Sequence, residues 1–332
     1  MGAKIQKTAH YLPEKVLDSK GLKELFPDFD SNKVENKIGI KSRHISSDTQ
    51  TSLDLAFEAS LKVLEESNIS EIDFVILCTQ TPDYILPTGA CILQERLGLS
   101  SSIGALDFNL GCSGYVYGLA ICKGLLAAGI ATKILFVTSD TYSKYIHEMD
   151  KGNRSIFGDG ATANIINSDK EDKIGQFVLG TDGSGYDKLI IKNGAGKNKL
   201  EQKPEKKYYG DGNQYNDNCI YMNGPEIFNF TINNIPKLIS DTLMKNRLKK
   251  EDVDYFIFHQ ANKFMLEYLR KKVGIPSEKF HLNLETTGNT VSSAIPIALE
   301  QALKDGKIRK GNKVLLAGFG VGLSWGATII EI

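Results

Sequence analysis

An internal duplication is the feature of this 332-residue chain that most restricts its fold. Three kinds of segment occur in the first half and again, in the same order, in the second. The matched pairs are EIDFVILC at 71–78 with DVDYFIFH at 252–259, the strand–glycine–helix units at 103–129 and 282–294, and KILFV…GATANII at 133–166 with KVLLA…GATII at 313–330. Each half alternates strand-like and helix-like runs, which favours two mostly parallel sheets with right-handed crossovers.

The duplication predicts an α/β protein whose two halves pack face to face around a pseudo-twofold axis. Residues 1–170 are predicted to form the first half and residues 171–332 the second. The stretch up to about residue 47 precedes the first repeat and is predicted to cap the first half. Residues 188–218 are rich in Lys, Gly, Asn and Glu, which favours a long solvated loop, with a docking segment as the alternative.

Charge and cysteine content exclude several classes of partner. The 40 Lys and Arg residues balance 40 Asp and Glu residues, so no bulk attraction to nucleic acid or an anionic membrane is expected. The five cysteines show no CxxC pair or metal-ligand spacing, a pattern typical of reduced thiols. The N-terminus lacks the apolar core of a signal peptide, and no run is apolar for long enough to span a bilayer. We therefore expect a soluble cytoplasmic protein.

Cys112 lies where strand-to-helix turns commonly carry reactive groups. A predicted strand over residues 103–110 precedes it and a predicted helix over residues 115–129 follows it. Gly111 and Gly114 permit a sharp turn between the two elements. Unpaired N–H groups and the helix dipole at such a position favour a thiolate, so the pattern predicts a lowered pKa and a nucleophilic sulfur. A small buried structural cysteine is the alternative.

The duplication places two more polar residues at equivalent strand ends. His259 ends a second-half strand, and Asn289 occupies the corner equivalent to Cys112. Because ligands gather beyond the carboxyl ends of parallel strands, we expect the three side chains to meet near the axis. A thiolate can accept an acyl group, while a neutral imidazole and an amide can hold the oxygen of an enolate formed by loss of CO2. A carboxylate at position 289 would instead indicate proton abstraction.

Taken in order, motifs along the whole chain resemble those of β-ketoacyl-acyl-carrier-protein synthases III in the thiolase superfamily. They are GIKSRHI at 39–45, the Cys112 corner, FGDGA at 157–161, MNGPEIF at 222–228, HQAN at 259–262, GNT at 288–290 and the glycine-rich tail at 320–326. The resemblance implies a thiolase-like fold, with two pseudo-repeated βαβ halves packed as α-β-α-β-α layers. It also implies a homodimer.

The activity implied by the resemblance is a ping-pong condensation that uses no metal or redox cofactor. Cys112 would take the primer acyl group, and His259 and Asn289 would assist decarboxylation of a malonyl thioester on acyl carrier protein. The resulting carbanion would attack the acyl-cysteine. The backbone N–H groups of Cys112 and Val321 would form the oxyanion hole.

Four more positions match substrate contacts of the family. Phe228 matches the aromatic residue near the malonyl group, and Leu86 matches the side chain that reaches into the partner subunit's acyl pocket. Lys33 and Lys151 stand where well-studied family members hold the adenine of coenzyme A between Trp and Arg. Neither lysine offers a flat surface for stacking, so coenzyme A and acyl carrier protein both stay open as primer carriers.

A basic helix face is the predicted docking surface for acidic acyl carrier protein. Four cations on the predicted helix after His259 match the family's docking helix: Lys263, Arg270, Lys271 and Lys272. An ordinary solvated helix face is the alternative.

Two other functions fit the same fold. One is transfer of an acyl group from Cys112 to an alcohol or amine, which Asn289 disfavours because such a transfer needs a general base. The other is a non-catalytic subunit that only binds carrier protein, which has little need of a nucleophilic cysteine.

Overall fold

The computed structural model describes residues 2–65, 68–210 and 212–332, apart from the side chain of Lys33. Within these ranges the α-helices are α1 (Ser19–Leu25), α2 (Ser31–Ile38), α3 (Ser52–Leu64), α4 (Gly89–Arg96), α5 (Gly114–Ala127), α6 (Lys151–Arg154), α7 (Gly224–Lys245), α8 (Lys263–Val273) and α9 (Ala294–Lys304). The strands there are β1 (Gly2–Tyr11), β2 (Val16–Asp18), β3 (Ser42–His44), β4 (Phe74–Cys78), β5 (Gly104–Phe108), β6 (Lys133–Asp140), β7 (Gly160–Asp169), β8 (Val178–Thr181), β9 (Leu189–Ile190), β10 (Lys207–Tyr209), β11 (Asn213–Tyr215), β12 (Tyr221–Met222), β13 (Tyr255–Phe258), β14 (Lys313–Gly320) and β15 (Ser324–Glu331).

Two main sheets repeat one strand order, which confirms the predicted duplication. The first sheet runs β1-β7-β6-β4-β5 and the second runs β8-β15-β14-β13. In the first, β4 is parallel to β5 and β6, whereas β7 is antiparallel to β6 and β1. In the second, β13 is parallel to β14, whereas β15 is antiparallel to β14 and β8. In each sheet one strand, β7 or β15, runs opposite to all the others.

Three helical layers enclose the two sheets. Side chains alternate between the faces of each strand, so Ile76 and Phe136 pack inward with α5 and α9, while Val75 and Val137 pack outward against α3 and α4. In the second sheet Phe256 likewise packs outward, in a cluster with residues of α7 and α8. The predicted α-β-α-β-α layering is confirmed. Among the described residues, no helix combines the length and apolar character needed to cross a membrane.

The second half lacks the strand predicted after residue 282. The segment before Asn289 pairs with β13 only through a parallel bridge between Phe256 and Phe280, and His281 N–H donates to the Phe256 carbonyl at 3.0 Å. Residues 283–289 are mostly polar and lack the apolar pattern that buries a strand on both faces. The second corner is therefore held by other contacts.

The first residues are not a cap, contrary to the prediction. Strand β1 joins the first sheet, pairing with β7 from Gly2–Asp169 to Tyr11–Ala161. The strand of the second sheet that is equivalent to β1 is β8, which is only four residues long. Comparison of the two halves of the sequence therefore gave no sign that residues 2–11 form a strand. The first sheet lies within residues 2–169 and the second within 178–331, and the boundary between residues 170 and 171 stays a prediction.

The stretch 188–218 is a solvated loop only in its middle, where residues 194–206 contain no helix or strand and all but Pro204 are exposed. It contains β9, β10 and β11 within its described residues, and Leu189, Asn193 and Asn216 are buried. The apolar run that opens it, Leu189–Ile190, pairs with β12. Composition alone predicted a loop because the polar residues of the stretch outnumber these few buried positions.

Candidate active site

Cys112 lies between β5 and α5, two residues before the first helical residue. The turn is closed by a 2.8 Å hydrogen bond from Gly114 N–H to the Gly111 carbonyl. Hydroxyl groups of Ser113 and Ser324 lie 2.7 Å apart and tie the corner to β15 in the second sheet. The Cys112 side chain is buried, with 6% of its surface exposed.

The end of β14 packs directly against this corner and requires glycine there. A Cβ atom at Gly320 would lie 2.7 Å from Cys112 Sγ. A Cβ atom at Gly318 would lie 2.7 Å from the Cys112 carbonyl oxygen. The glycines of the tail therefore allow a second-half strand to approach the sulfur of a first-half residue.

The predicted lowering of the Cys112 pKa is wrong for the structure described. Burial, with a smaller contribution from the nearby carboxylate of Asp140, raises the pKa of the Cys112 thiol to about 12. Hydrogen bonds from the backbone N–H groups of Val321 and Cys112 to the sulfur oppose these effects without cancelling them. Desolvation outweighs the helix N-terminus because the thiolate would lose nearly all its contact with water. Cys112 therefore rests as a thiol, with the two predicted oxyanion-hole donors at its sulfur.

His259 follows β13 and is neutral. Its backbone N–H donates to the Ala317 carbonyl at 2.8 Å, and its ring contacts Phe319 edge-on with centroids 6.0 Å apart. Burial lowers the pKa of His259 to about 3. Among the described residues, its Nδ1 has no hydrogen-bond partner. A neutral imidazole retains one N–H to donate.

Asn289 is held by contacts with the first half. Its backbone N–H donates to the Ile156 carbonyl at 2.9 Å, and Gly158 N–H donates to the Asn289 carbonyl at 3.0 Å. The side-chain oxygen of Asn289 accepts the Val291 N–H at 2.9 Å. Because a backbone N–H needs an acceptor, the side-chain atom that faces Val291 is the amide oxygen. The two Nδ2 hydrogens are therefore available to a ligand.

Neighbouring contacts bring the three predicted catalytic residues into one region. Phe319, which contacts His259, precedes Gly320, which packs on Cys112 Sγ. Val291, two residues after Asn289, has its Cγ1 atom 3.2 Å from the Cβ position of Gly111. The first half supplies the thiol and the second half supplies the imidazole and the amide. Their catalytic roles stay predictions.

Sequence reasoning missed a buried carboxyl group behind the site. Asp140 ends β6 and accepts hydrogen bonds from Gln80 N–H at 2.8 Å, from Ser292 N–H at 3.4 Å and from the Ser292 hydroxyl. Burial raises the pKa of Asp140 to about 7. It joins the ends of two first-half strands to the turn after Asn289. An acidic residue at the end of a strand with an apolar run, Ile134 to Val137, was the available signal.

Of the predicted substrate contacts, Phe228 and Leu86 have different surroundings. Phe228 in α7 stacks on Phe264 at 5.4 Å and meets Tyr268 edge-on at 5.5 Å between ring centroids. Leu86 is 79% exposed on the loop between β4 and α4. That exposure leaves the side chain available to a second molecule.

Lys33 and Lys151 lie on separate short helices. Lys33 belongs to α2, and its side chain lies outside the described part of the chain. Lys151 opens α6 and is half-buried. The stretch 188–218 packs here, because Gly152 N–H donates to Asn213 Oδ1 at 2.8 Å and the Tyr209 hydroxyl donates to Asp150 at 2.6 Å.

The four predicted docking cations are not equivalent, although α8 forms where it was predicted. Arg270 is bound to Glu267 at 2.8 Å and to the Ile275 carbonyl at 2.9 Å, and Lys272 donates to the Ile232 carbonyl at 2.8 Å. Lys263 and Lys271 are exposed. These two are the cations on the helix most available to a partner.

Comparisons with known proteins agree on one family. Residues 106–183 match the model described as 3-oxoacyl-[acyl-carrier-protein (ACP)] synthase III, and residues 243–332 match the model of its C terminal part. The β-ketoacyl-[acyl-carrier-protein] synthase III of Clostridium perfringens (strain ATCC 13124) is 38% identical over 325 residues, covering 97% of each chain.

Solved structures give the same result over the full length. A 2.1 Å crystal structure of a 3-oxoacyl-(acyl-carrier-protein) synthase III superposes with a TM-score of 0.98 at 44% identity, covering 100% of both chains. The 3-oxoacyl-(acyl carrier protein) synthase III from Pseudomonas aeruginosa PAO1 superposes with a TM-score of 0.89 at 30% identity, covering 100% of this chain and 98% of that one.

Proposed function

This chain belongs to the 3-oxoacyl-[acyl-carrier-protein] synthase III family of acyl-transferring condensing enzymes, and we propose that Cys112, His259 and Asn289 carry out its reaction. The observation that carries the proposal is the protonation and orientation of the second-half pair. His259 is kept neutral by burial, and the oxygen of Asn289 is occupied by Val291 N–H. Both groups therefore offer N–H donors and no negative charge.

In the first step the sulfur of Cys112 attacks the carbonyl carbon of an acyl thioester. A new C–S bond forms to Cys112, the bond to the carrier sulfur breaks, and the carrier leaves as a thiol with the proton that Cys112 loses. Because the resting thiol has its pKa raised to about 12, proton loss accompanies the attack. The N–H groups at the sulfur then face the oxygen of the tetrahedral intermediate.

In the second step a malonyl thioester loses CO2. The electron pair of the broken C–C bond passes into an enolate, whose oxygen accepts hydrogen bonds from His259 and Asn289. The carbanion carbon then attacks the acyl carbonyl on Cys112. The C–S bond breaks, its electron pair stays on the sulfur, which takes up a proton from water, and a 3-oxoacyl thioester leaves. A carboxylate beside the enolate would oppose this charge, so an amide and a neutral imidazole suit the step.

The partners belong to the same proposal. Acyl carrier protein would deliver the malonyl group, and Lys263 and Lys271 on α8 are exposed cations that would contact its acidic surface. The primer would arrive on coenzyme A or on carrier protein. The enzyme would work as a cytoplasmic homodimer, in which exposed Leu86 reaches the partner's acyl pocket. Both steps balance in atoms and electrons with the thioesters and one proton from water, so no metal or redox cofactor is assigned.

Acyl transfer to an alcohol or amine is the weaker alternative. Such a transfer needs a base to accept the proton of the incoming nucleophile. Burial lowers the pKa of His259 to about 3, and the Asn289 amide does not accept a proton in this range. A non-catalytic protein that only binds carrier protein would not need N–H donors at the Cys112 sulfur, where this protein has two.

The test combines two measurements on the full chain. Intact-protein mass spectrometry, after incubation with acyl-coenzyme A and acyl-carrier-protein thioesters, should show one acyl adduct that is absent in Cys112→Ala. Addition of malonyl-carrier protein with a 14C-labelled free carboxyl group should then release labelled CO2 as the adduct disappears. Loss of the adduct to an alcohol or amine without CO2 release would support the acyltransferase instead. An enzyme that no thioester acylates would exclude both.

A further inference from the structure

A cavity of about 570 Å³ lies beside the nucleophile corner. Two of its lining residues pack on Gly111, because a Cβ atom there would lie 2.5 Å from Gln80 Oε1 and 2.7 Å from Val321 Cγ1. Gly111 precedes Cys112, and Val321 N–H reaches the Cys112 sulfur. If Cys112 carries the primer as proposed above, this cavity is within reach of the acyl chain.

One side of the cavity is apolar. Leu189 and Ile220 are buried there, Ile191 is half-buried, and the exposed Leu200 lies at the rim. Three of these four side chains belong to the stretch 188–218. Such a wall would shield the carbon chain of a short acyl group from water.

The side nearest the sulfur carries a chain of polar side chains instead. The Tyr142 hydroxyl donates to Gln80 Oε1 at 2.5 Å, and Gln80 Nε2 donates to Asn109 Oδ1 at 2.8 Å. Tyr142 is almost completely buried. The direction of these bonds leaves both Nδ2 hydrogens of Asn109, one Nε2 hydrogen of Gln80 and the lone pairs of the Tyr142 oxygen unused by the described residues.

The charges around the cavity restrict the ligand further. The described residues that line it include no Lys, Arg or His, and they include one carboxylate, Asp83. Asp83 already accepts hydrogen bonds from the Ser52 hydroxyl and the Leu53 N–H. An acyl group ending in a carboxylate would find no cation here and would approach a like charge. The polar side of the cavity therefore suits a neutral polar group.

From this arrangement we infer that the primer is a short hydroxyacyl group, deepening the function proposed above. Its hydroxyl oxygen accepts from the Asn109 or Gln80 amide, and its hydroxyl hydrogen donates to the Tyr142 oxygen. A hydroxyl uses both the free donors and the free acceptor, whereas a methylene group in its place displaces water from them and leaves them unpaired. The hydrogen-bonded side chains of Tyr142, Gln80 and Asn109 thus determine specificity for the primer.

The test compares three primers that differ only in the relevant group. Wild-type protein is incubated with the pantetheine thioesters of butanoic, 3-hydroxybutanoic (each enantiomer) and succinic acid, and the rate of Cys112 acylation is followed by intact-protein mass spectrometry. Pantetheine is common to coenzyme A and carrier protein, so the preference does not depend on the carrier. We expect one 3-hydroxybutanoyl enantiomer to acylate at least about tenfold faster than butanoyl, since hydrogen bonds of ordinary strength are gained.

Variants then assign the preference to the polar chain. Tyr142→Phe and Asn109→Leu should lower the ratio of hydroxybutanoyl to butanoyl rates toward one, while butanoyl acylation continues. Tyr115→Phe is the matched control, because it removes a buried hydroxyl that binds Asn164 in the first sheet instead. Equal or faster acylation by butanoyl in wild type would overturn the inference and leave the proposed function standing, as would a preference for succinyl. Absence of any acylation would overturn the proposed function itself.

Discussion

The corners at Cys112 and Asn289 are equivalent in the duplication, yet they are held in different ways. The first follows β5, a five-residue strand paired with β4, and only Ser113 separates Cys112 from α5. The second leaves a segment that pairs with its sheet only at Phe280, and it reaches α9 through a 3-10 turn, Val291–Ser293. Asn289 is bonded instead to Ile156 and Gly158 of the first half. The backbone of the first corner therefore continues a strand of its own sheet, whereas the backbone of the second corner is held by the other half.

The largest effect should come from the first corner. Cys112→Ser should abolish the stable acyl adduct, because a buried serine hydroxyl is a far weaker nucleophile than a thiol and no strong base lies beside it. Mass spectrometry after incubation with acyl thioesters measures this. Cys91→Ser, which changes an exposed cysteine, should keep the adduct. Persistence of the adduct in Cys112→Ser would place the nucleophile elsewhere.

The second corner should affect a different step. Asn289→Ala should still become acylated, but release of CO2 from malonyl-carrier protein should fall about 10²-fold or more, as expected for loss of one donor to a developing oxyanion. Single-turnover assays on preformed acyl-enzyme separate the two steps. Normal condensation by Asn289→Ala would show that the amide has no part in enolate stabilisation.

A third variant examines the contact between the end of β14 and the first corner. Gly320→Ala places a Cβ atom 2.7 Å from Cys112 Sγ, so the sulfur or β14 must move. Acylation should slow by about tenfold to 10²-fold, as misplacement of reacting atoms by an ångström commonly does. Gly183→Ala, where a Cβ would meet nothing within 4 Å, is the control. An unchanged acylation rate would mean that the sulfur is not positioned by β14.

The pH dependence of condensation should distinguish titration of His259 from titration of Asp140. With its pKa lowered to about 3, His259 stays neutral from pH 8 to pH 5, whereas a histidine with an ordinary pKa would become charged below about 6.5. Preformed acyl-enzyme should therefore show no loss of condensation with a midpoint near 6.5. A transition near pH 7 that disappears in Asp140→Asn would belong to Asp140, whose pKa is raised to about 7. One that persists would contradict the neutrality of His259.

The smallest effects concern the helix that carries the first corner. Gly118→Ala in α5 brings a Cβ atom 2.1 Å from the Phe136 ring, so overpacking should lower the free energy of unfolding by about 1–3 kcal/mol. Gly124→Ala on the same helix meets nothing within 4 Å and should raise it by up to about 1 kcal/mol. Urea denaturation of both variants gives the comparison. Equal effects would show that α5 does not pack closely on β6.

Most of the fold was predictable because it depends on local patterns that occur twice. Apolar runs such as residues 74–78 and 255–258 identify buried strands wherever they stand, and their common order identified the second sheet as a copy of the first. The short strand β8 and the polar segment before Asn289 lacked such runs. The prediction therefore missed the role of β1 and added a strand that does not form.

The sequence by itself determined that there are two similar halves and which corners carry a thiol and an amide, because strand periodicity and glycine turns are local properties. Only the tertiary structure decided the protonation of Cys112 and His259, the orientation of Asn289 and the polar wall at Tyr142. Each depends on groups distant in sequence that exclude water or complete a hydrogen bond. The helix start beside Cys112 favoured a thiolate, but burial under the end of β14 outweighed it.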